Sequence, residues 1–93
     1  MPKFERSTRK NKKYSVTTPS GKTIHFGAIE NGVPMGQYRD STGLGLYSKY
    51  DHNDKKRRAN YLARAKGIKD KNGKLTWKDK ESANYYSIKF LWM

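Results

Sequence analysis

The stretch YSVTTPSGKTIHFG, residues 14 to 27, constrains the fold more than any other part of the chain. Tyr14, Val16 and Thr18 alternate with Ser15 and Thr17, and Thr23 to Phe26 is again β-branched or aromatic, which is the period-two pattern of half-buried strands. Between them Pro19-Ser20-Gly21-Lys22 supplies a turn, with proline opening it and glycine taking the positive φ. The spacing predicts a β-hairpin whose Val16, Ile24 and Phe26 line one apolar face.

Little apolar material is available to pack on that face. Apolar residues make up 33% of the 93 residues, against about 45–50% in ordinary globular proteins. The aromatic content of 13% nevertheless supports a small core, because each aromatic ring buries a large area. The 21 Lys and Arg outnumber the 8 Asp and Glu, giving a formal charge of +13. Self-repulsion of that size calls for an anionic or acidic partner. The absence of cysteine excludes disulfides and thiolate metal sites. No apolar run approaches the about 18 residues of a membrane span, and MPKFERSTRKNKK lacks the apolar stretch of a signal peptide, so neither a transmembrane segment nor export by the usual signal is expected.

Residues 1 to 13 carry Lys3, Arg6, Arg9, Lys10, Lys12 and Lys13 against Glu5, with Phe4 as the single large apolar side chain. They read as an extended basic arm, and a solvated tail fits them equally. The domain proper is then residues 14 to 93. Its section from Gly27 to Leu46 holds Gly27, Gly32, Gly36, Gly43 and Gly45, so an irregular loop is expected, hooked onto the core by Tyr38, Leu44, Leu46 and Tyr47. TGLGLY lacks the spacing of a dinucleotide fingerprint and the Gly-Lys-Ser/Thr ending of a phosphate loop.

Helix signals begin at Asp51, whose carboxylate suits a cap, and end at Gly67, predicting a helix from Asp51 to Lys66. Ala59, Tyr61, Leu62 and Ala65 form its core stripe. Lys55, Lys56, Arg57, Arg58 and Arg64 fall mainly elsewhere, and are either a solvated face or a surface for phosphate or acidic protein. Asn72-Gly73 predicts a tight turn. Asp79 or Ser82 would cap a short C-terminal helix, unless the segment is an extended aromatic clamp, and its apolar end, Phe90, Leu91, Trp92 and Met93, is to be buried in this core or docked on a neighbour. The two histidines, His25 and His52, are too few for a metal-dependent nuclease, and no nucleophile, base and orienting acid assemble from spacing, so no catalytic residue, metal or cofactor is assigned. The fold class expected is α+β: one small domain with a β-hairpin, a central basic helix, a short C-terminal helix, the basic arm and the glycine-rich loop.

Three segments, KKYSVTTPSGKTIHFG, QYRDSTGLGLYSKYDHNDKKRRANYLARAKGI and NYYSIKFLW, together resemble a family of small, basic, uncharacterised proteins of giant nucleocytoplasmic large DNA viruses, including chlorella-virus and mimivirus relatives. The resemblance is carried by His25, Phe26, Gly27, Asp51, His52, Asp54, Arg57, Arg58, Tyr61, Arg64, Leu91 and Trp92. It departs at Arg64-Ala65, where many members have Arg-His, which weakens any claim to a functional histidine in the helix. The resemblance implies a virion protein, made in the cytoplasm of the infected host cell, and brings no catalytic residue with it. A minor capsid component docking between major and other minor capsid proteins, inside the shell, is the leading expectation. The alternative is a sequence-nonspecific DNA-binding or genome-condensing protein using the same cations on phosphate.

Overall fold

The computed structural model describes residues 3–93. Four strands, β1 (Lys3–Arg6), β2 (Lys12–Thr17), β3 (Thr23–Glu30) and β4 (Val33–Pro34), form an antiparallel sheet in the order β1-β2-β3-β4. Two helices follow, α1 (Lys55–Ala65) and α2 (Ala83–Leu91), with single 3-10 turns at Ser48–Tyr50 and Thr76–Lys78. The architecture is α+β, a small domain with one sheet and two helices.

The β2–β3 hairpin forms where alternation and turn residues place it. Tyr14 lies opposite Phe26 and Val16 opposite Ile24, and all four side chains are buried. Gly21 takes φ +86°, closing the turn. Around this face gather Tyr47, Tyr86 and Leu91, with Phe4, Ile29 and Phe90 partly buried at its margin.

The expectation of an arm over residues 1 to 13 is corrected over its described part. Lys3–Arg6 is an edge strand paired with β2 (Phe4 opposite Val16), and β2 runs across the boundary placed between residues 13 and 14. Phe4 is the reason: its ring meets Phe26 at 5.9 Å and Phe90 at 4.6 Å, both edge to face, so the one large apolar side chain of the segment has a core to join. Ser7 then ties the strand's end to His25 through a 2.7 Å hydrogen bond.

The cap of α1 lies three residues beyond Asp51, and the helix runs over Lys55–Ala65 rather than from Asp51 to Lys66. The Asp51 carboxylate is occupied elsewhere, accepting from Gln37 Nε2 at 2.8 Å and from the Asp40 amide at 2.9 Å. Asn53 sits at φ +53°, a left-handed conformation that breaks any helix running through it. Asp54 is the cap, accepting from the Lys56 and Arg57 amides. Within the predicted stripe Ala65 is buried and Tyr61 and Leu62 are half-buried, but Ala59 is exposed. Ser82 caps α2, and the Asn72-Gly73 turn is made with Gly73 at φ +80°. In the glycine-rich loop Tyr47 is buried, whereas Leu44 and Leu46 are exposed and hook onto nothing.

That loop is held by a polar network as well as by the packing of Tyr47 in the core. Lys13, on β2, is 1% exposed and donates from Nζ to Met35 O at 2.5 Å and to Gln37 Oε1 at 2.6 Å. Gln37 passes the chain on to Asp51 and to Tyr47 O, while Tyr14 OH donates to Asp40. Gly27 makes room for this lysine, since a Cβ there would stand 2.9 Å from Lys13 Cβ. Burial pulls the Lys13 ammonium down to about 8, although Asp40 and Asp51 favour its charge, and burial together with the bond to Asp40 pushes the Tyr14 hydroxyl up to about 12.

Candidate functional site

Six of the eight acids are committed to building the fold. Asp40 and Asp51 belong to the buried network, and Asp54 caps α1. Asp70 accepts from the Asn72 and Lys74 amides in the Asn-Gly turn, and Asp79 accepts from the Glu81 amide. Glu81 accepts from Thr18 Oγ1 and Ser20 Oγ, bonds that hold its carboxyl below the usual range. The acids therefore do little to neutralise the cations. Among the described residues the ion pairs are Lys3 with Glu5 and Arg57 with Asp54, each at 3.8 Å between exposed side chains, where such pairs contribute little.

Helix α1 concentrates the result. Lys55, Lys56, Arg57 and Arg58 occupy its first turn, and the turn contains no acid. The helix dipole presents partial positive charge there, so these four cations oppose both the dipole and one another. Asp54 offsets part of this, its carboxyl lowered chiefly by the Arg57 amide. An external anion along this turn would remove the remaining repulsion.

Not every cation assigned from sequence is free to meet a partner. Lys3, Arg6, Arg9, Lys10, Lys55, Lys56, Arg57 and Arg64 are exposed, and Lys12 is half-buried on β2. Arg6 donates to Tyr47 OH at 3.1 Å, and half-buried Arg58 lies 4.8 Å from the centre of the Tyr38 ring, a cation–π contact. Lys13 is removed from the surface altogether, because the Met35 carbonyl and the Gln37 side chain inside the protein satisfy its ammonium. Leu91 is likewise unavailable as a docking side chain at 1% exposure. Phe90 is partly buried against Phe4 and Tyr86, and Trp92 is stacked on Tyr61 with centroids 4.0 Å apart and planes 9° from parallel.

The Tyr61–Trp92 stack forms one wall of a cleft of about 290 Å³ between the helices and the sheet. Arg64 and Glu30 also line it, with Met35 and Leu91 giving apolar surface and Ser87 a hydroxyl near Tyr61. Arg57, Tyr61 and Arg64 stand at i, i+4 and i+7, so the cleft's aromatic wall and two arginines share a face of α1. That spacing was present in the sequence; what completes the cleft, Trp92 and Glu30 from distant elements, was not. A wider cleft of about 520 Å³, lined by Thr17, Lys80, Tyr85, Lys89 and Phe90, lies across the hairpin turn from α2.

His52 stands behind the stack. Its Nδ1 accepts from the Asp54 amide at 2.9 Å, which assigns the proton to Nε2. Nε2 is buried without a hydrogen-bond partner, and the imidazole ring lies 5.2 Å from that of Trp92 at 58° and 6.4 Å from that of Tyr38. The histidine thus helps to hold the entry of α1 through the Asp54 amide and packs beside Trp92. Among the described residues no three or more His, Cys, Asp or Glu side chains gather as a metal-binding group, and no helix is long and apolar enough to cross a membrane.

No curated protein and no solved structure matches the chain. Over residues 3–31, the span of β1, β2 and β3 with the turn that follows, the chain is similar to a family of unknown function, DUF5754.

Proposed function

We propose that this protein is a non-enzymatic binder of nucleic acid that grips the phosphate backbone, without sequence specificity, through the exposed cations of α1 and of the β1–β2 edge. The observation that carries this reading is the division of labour between charges: acids tied up in caps, turns and the buried network, and most cations left on the surface, where the ion pairs among the described residues are the weak Lys3–Glu5 and Arg57–Asp54. Four of those cations crowd the positive end of a helix, an arrangement that bound phosphate relieves. With the resemblance to proteins of large DNA viruses, the setting is the virus particle and the polyanion is its genome.

Fluorescence anisotropy with labelled duplex DNA across about 50 to 200 mM salt tests this. Affinity is expected to fall steeply with salt. The combined variant Lys55→Glu/Lys56→Glu/Arg57→Glu is expected to flatten the salt slope by about 2 to 3 and to weaken binding at least a hundredfold. Acids in a first helical turn favour the helix, so the loss would not come from unfolding. Wild-type affinity in that variant would sink the reading.

A second reading, a minor capsid component beneath the shell, is favoured by the exposed apolar side chains Val33, Met35, Leu44 and Leu46, which a neighbouring capsid protein would cover. Mass spectrometry of genome-containing and emptied particles separates the two. Retention in emptied shells at a fixed ratio supports the capsid role, and departure with the DNA supports the phosphate role.

A further inference from the structure

We infer that the cleft beside the Tyr61–Trp92 stack is a pocket for one unpaired base of a single-stranded nucleic acid, and that it favours bases carrying an exocyclic amino group. The inference rests on the phosphate-binding reading above and assigns it a base-contacting site.

Three features of the cleft select this occupant. Its wall is aromatic and already ordered: the Tyr61 hydroxyl bonds Ser87 Oγ at 3.0 Å and the ring stacks on Trp92, so little ordering remains to be done when a base arrives. Arg64 lines the same cleft, and Arg57 precedes it by seven residues on the same face of α1, about 10 Å along the helix, which lets a strand's phosphates run along α1 while a base turns inward. Glu30 supplies the third feature. Among the described residues it forms no ion pair, it lines the cleft, and it is acceptor-only when ionised.

Lys13 also lines the cleft, but its ammonium is spent on Met35 O and Gln37 Oε1, which leaves Glu30 to accept from an N–H donor while Arg64 and Arg57 meet the phosphates. The exocyclic amino group of cytosine or adenine provides that donor, and acidic side chains accept from cytosine N4 in this way. Thymine offers only a ring N–H flanked by two carbonyl oxygens that Glu30 would repel. The cleft, at about 290 Å³, has room for one base, and a base inside a duplex is paired and stacked and cannot enter it, so the strand must be single at this point.

The test is anisotropy with labelled oligo-dC, oligo-dA and oligo-dT of about 15 nucleotides, at one salt concentration, on the wild-type protein and on Glu30→Gln. Glu30 is exposed at the end of β3, and the substitution leaves the core untouched. Wild type is expected to bind oligo-dC and oligo-dA about 5- to 100-fold more tightly than oligo-dT. Glu30→Gln, whose amide can donate as well as accept, is expected to shrink that ratio towards one. Equal affinity for all three in the wild type, or an unchanged ratio in the variant, overturns the pocket while leaving salt-dependent phosphate binding intact. Absence of salt-dependent binding to any oligonucleotide or duplex overturns the phosphate reading as well.

Discussion

Helices α1 and α2 are similar in length, eleven and nine residues, and each is capped by a side chain, yet they do opposite things with their surfaces. Helix α2 buries Tyr86, Ile88 and Leu91, while α1 buries Ala65 alone. Helix α1 is held to α2 by Tyr61 through Ser87 and Trp92, and Asn84 of α2 donates to the Ala65 carbonyl at the end of α1. In a chain with little apolar material, one helix goes to the core and the other is carried on it as a holder of charge.

The sharpest way to break this comparison is to truncate each helix's apolar contact. Leu91→Ala should cost about 2–5 kcal/mol and melt both helices together, as read by urea denaturation followed by circular dichroism. Leu62→Ala, at a half-buried position, should cost clearly less and leave α2 and the sheet folded. Equal losses would mean that α1 is as much a part of the core as α2.

Next in size comes the pH dependence of the buried network that holds the loop. Between about 8 and the ordinary 10.5, the unfolded chain keeps a proton on Lys13 that the folded protein releases, so stability should rise with pH across that window. Tyr14 acts in the opposite sense. Its hydroxyl keeps its proton in the folded state up to about 12, so stability should fall as pH climbs from 10.0 towards 12. Thermal melts across this range should therefore pass through a maximum near pH 10, and Lys13→Met should lose the rising limb. A rising limb unchanged in Lys13→Met would show that general charge repulsion, not the buried lysine, sets it.

The smallest effect sharpens the contrast between the two caps. Ser82→Ala and Asp54→Ala should each cost about 1 kcal/mol. The Asp54 variant should lose more at low salt, because four cations face its turn, and the excess should vanish as salt screens them. A salt-independent difference would separate the cap from the charges around it.

The sequence made local structure readable and long-range pairing unreadable. Alternation through Tyr14, Val16, Ile24 and Phe26, the Pro-Ser-Gly-Lys turn, the Asn-Gly turn and the Ser82 cap are all decided by residues within a few positions of each other. Lys3–Arg6 gave no such signal: one phenylalanine among charged residues becomes a strand because β2 and Phe90 are there to receive it. Lys13 misled for the same reason, since its identity as a cation says surface while the Met35 carbonyl and Gln37 bring it inside. At the candidate site, Arg57, Tyr61 and Arg64 show their common face in their spacing, but Glu30 and Trp92 reach the cleft only through the packing of the sheet against α2.

The contact between Phe4 and Phe90 bears on how the domain is reached as well as on how it stands. Residues near opposite ends of the described chain close the same core, and the Arg39 and Ser41 amides add to that closure by bonding the Leu91 and Phe90 carbonyls. Such pairings are made only after long loops have been closed, which slows folding relative to domains built from neighbouring contacts. Neither half of the molecule can complete its core alone, so a growing or clipped chain exposes unpaired strand edge and aromatic surface until both halves meet. An anionic partner present during that interval would find the cations of α1 displayed before the fold beneath them is finished.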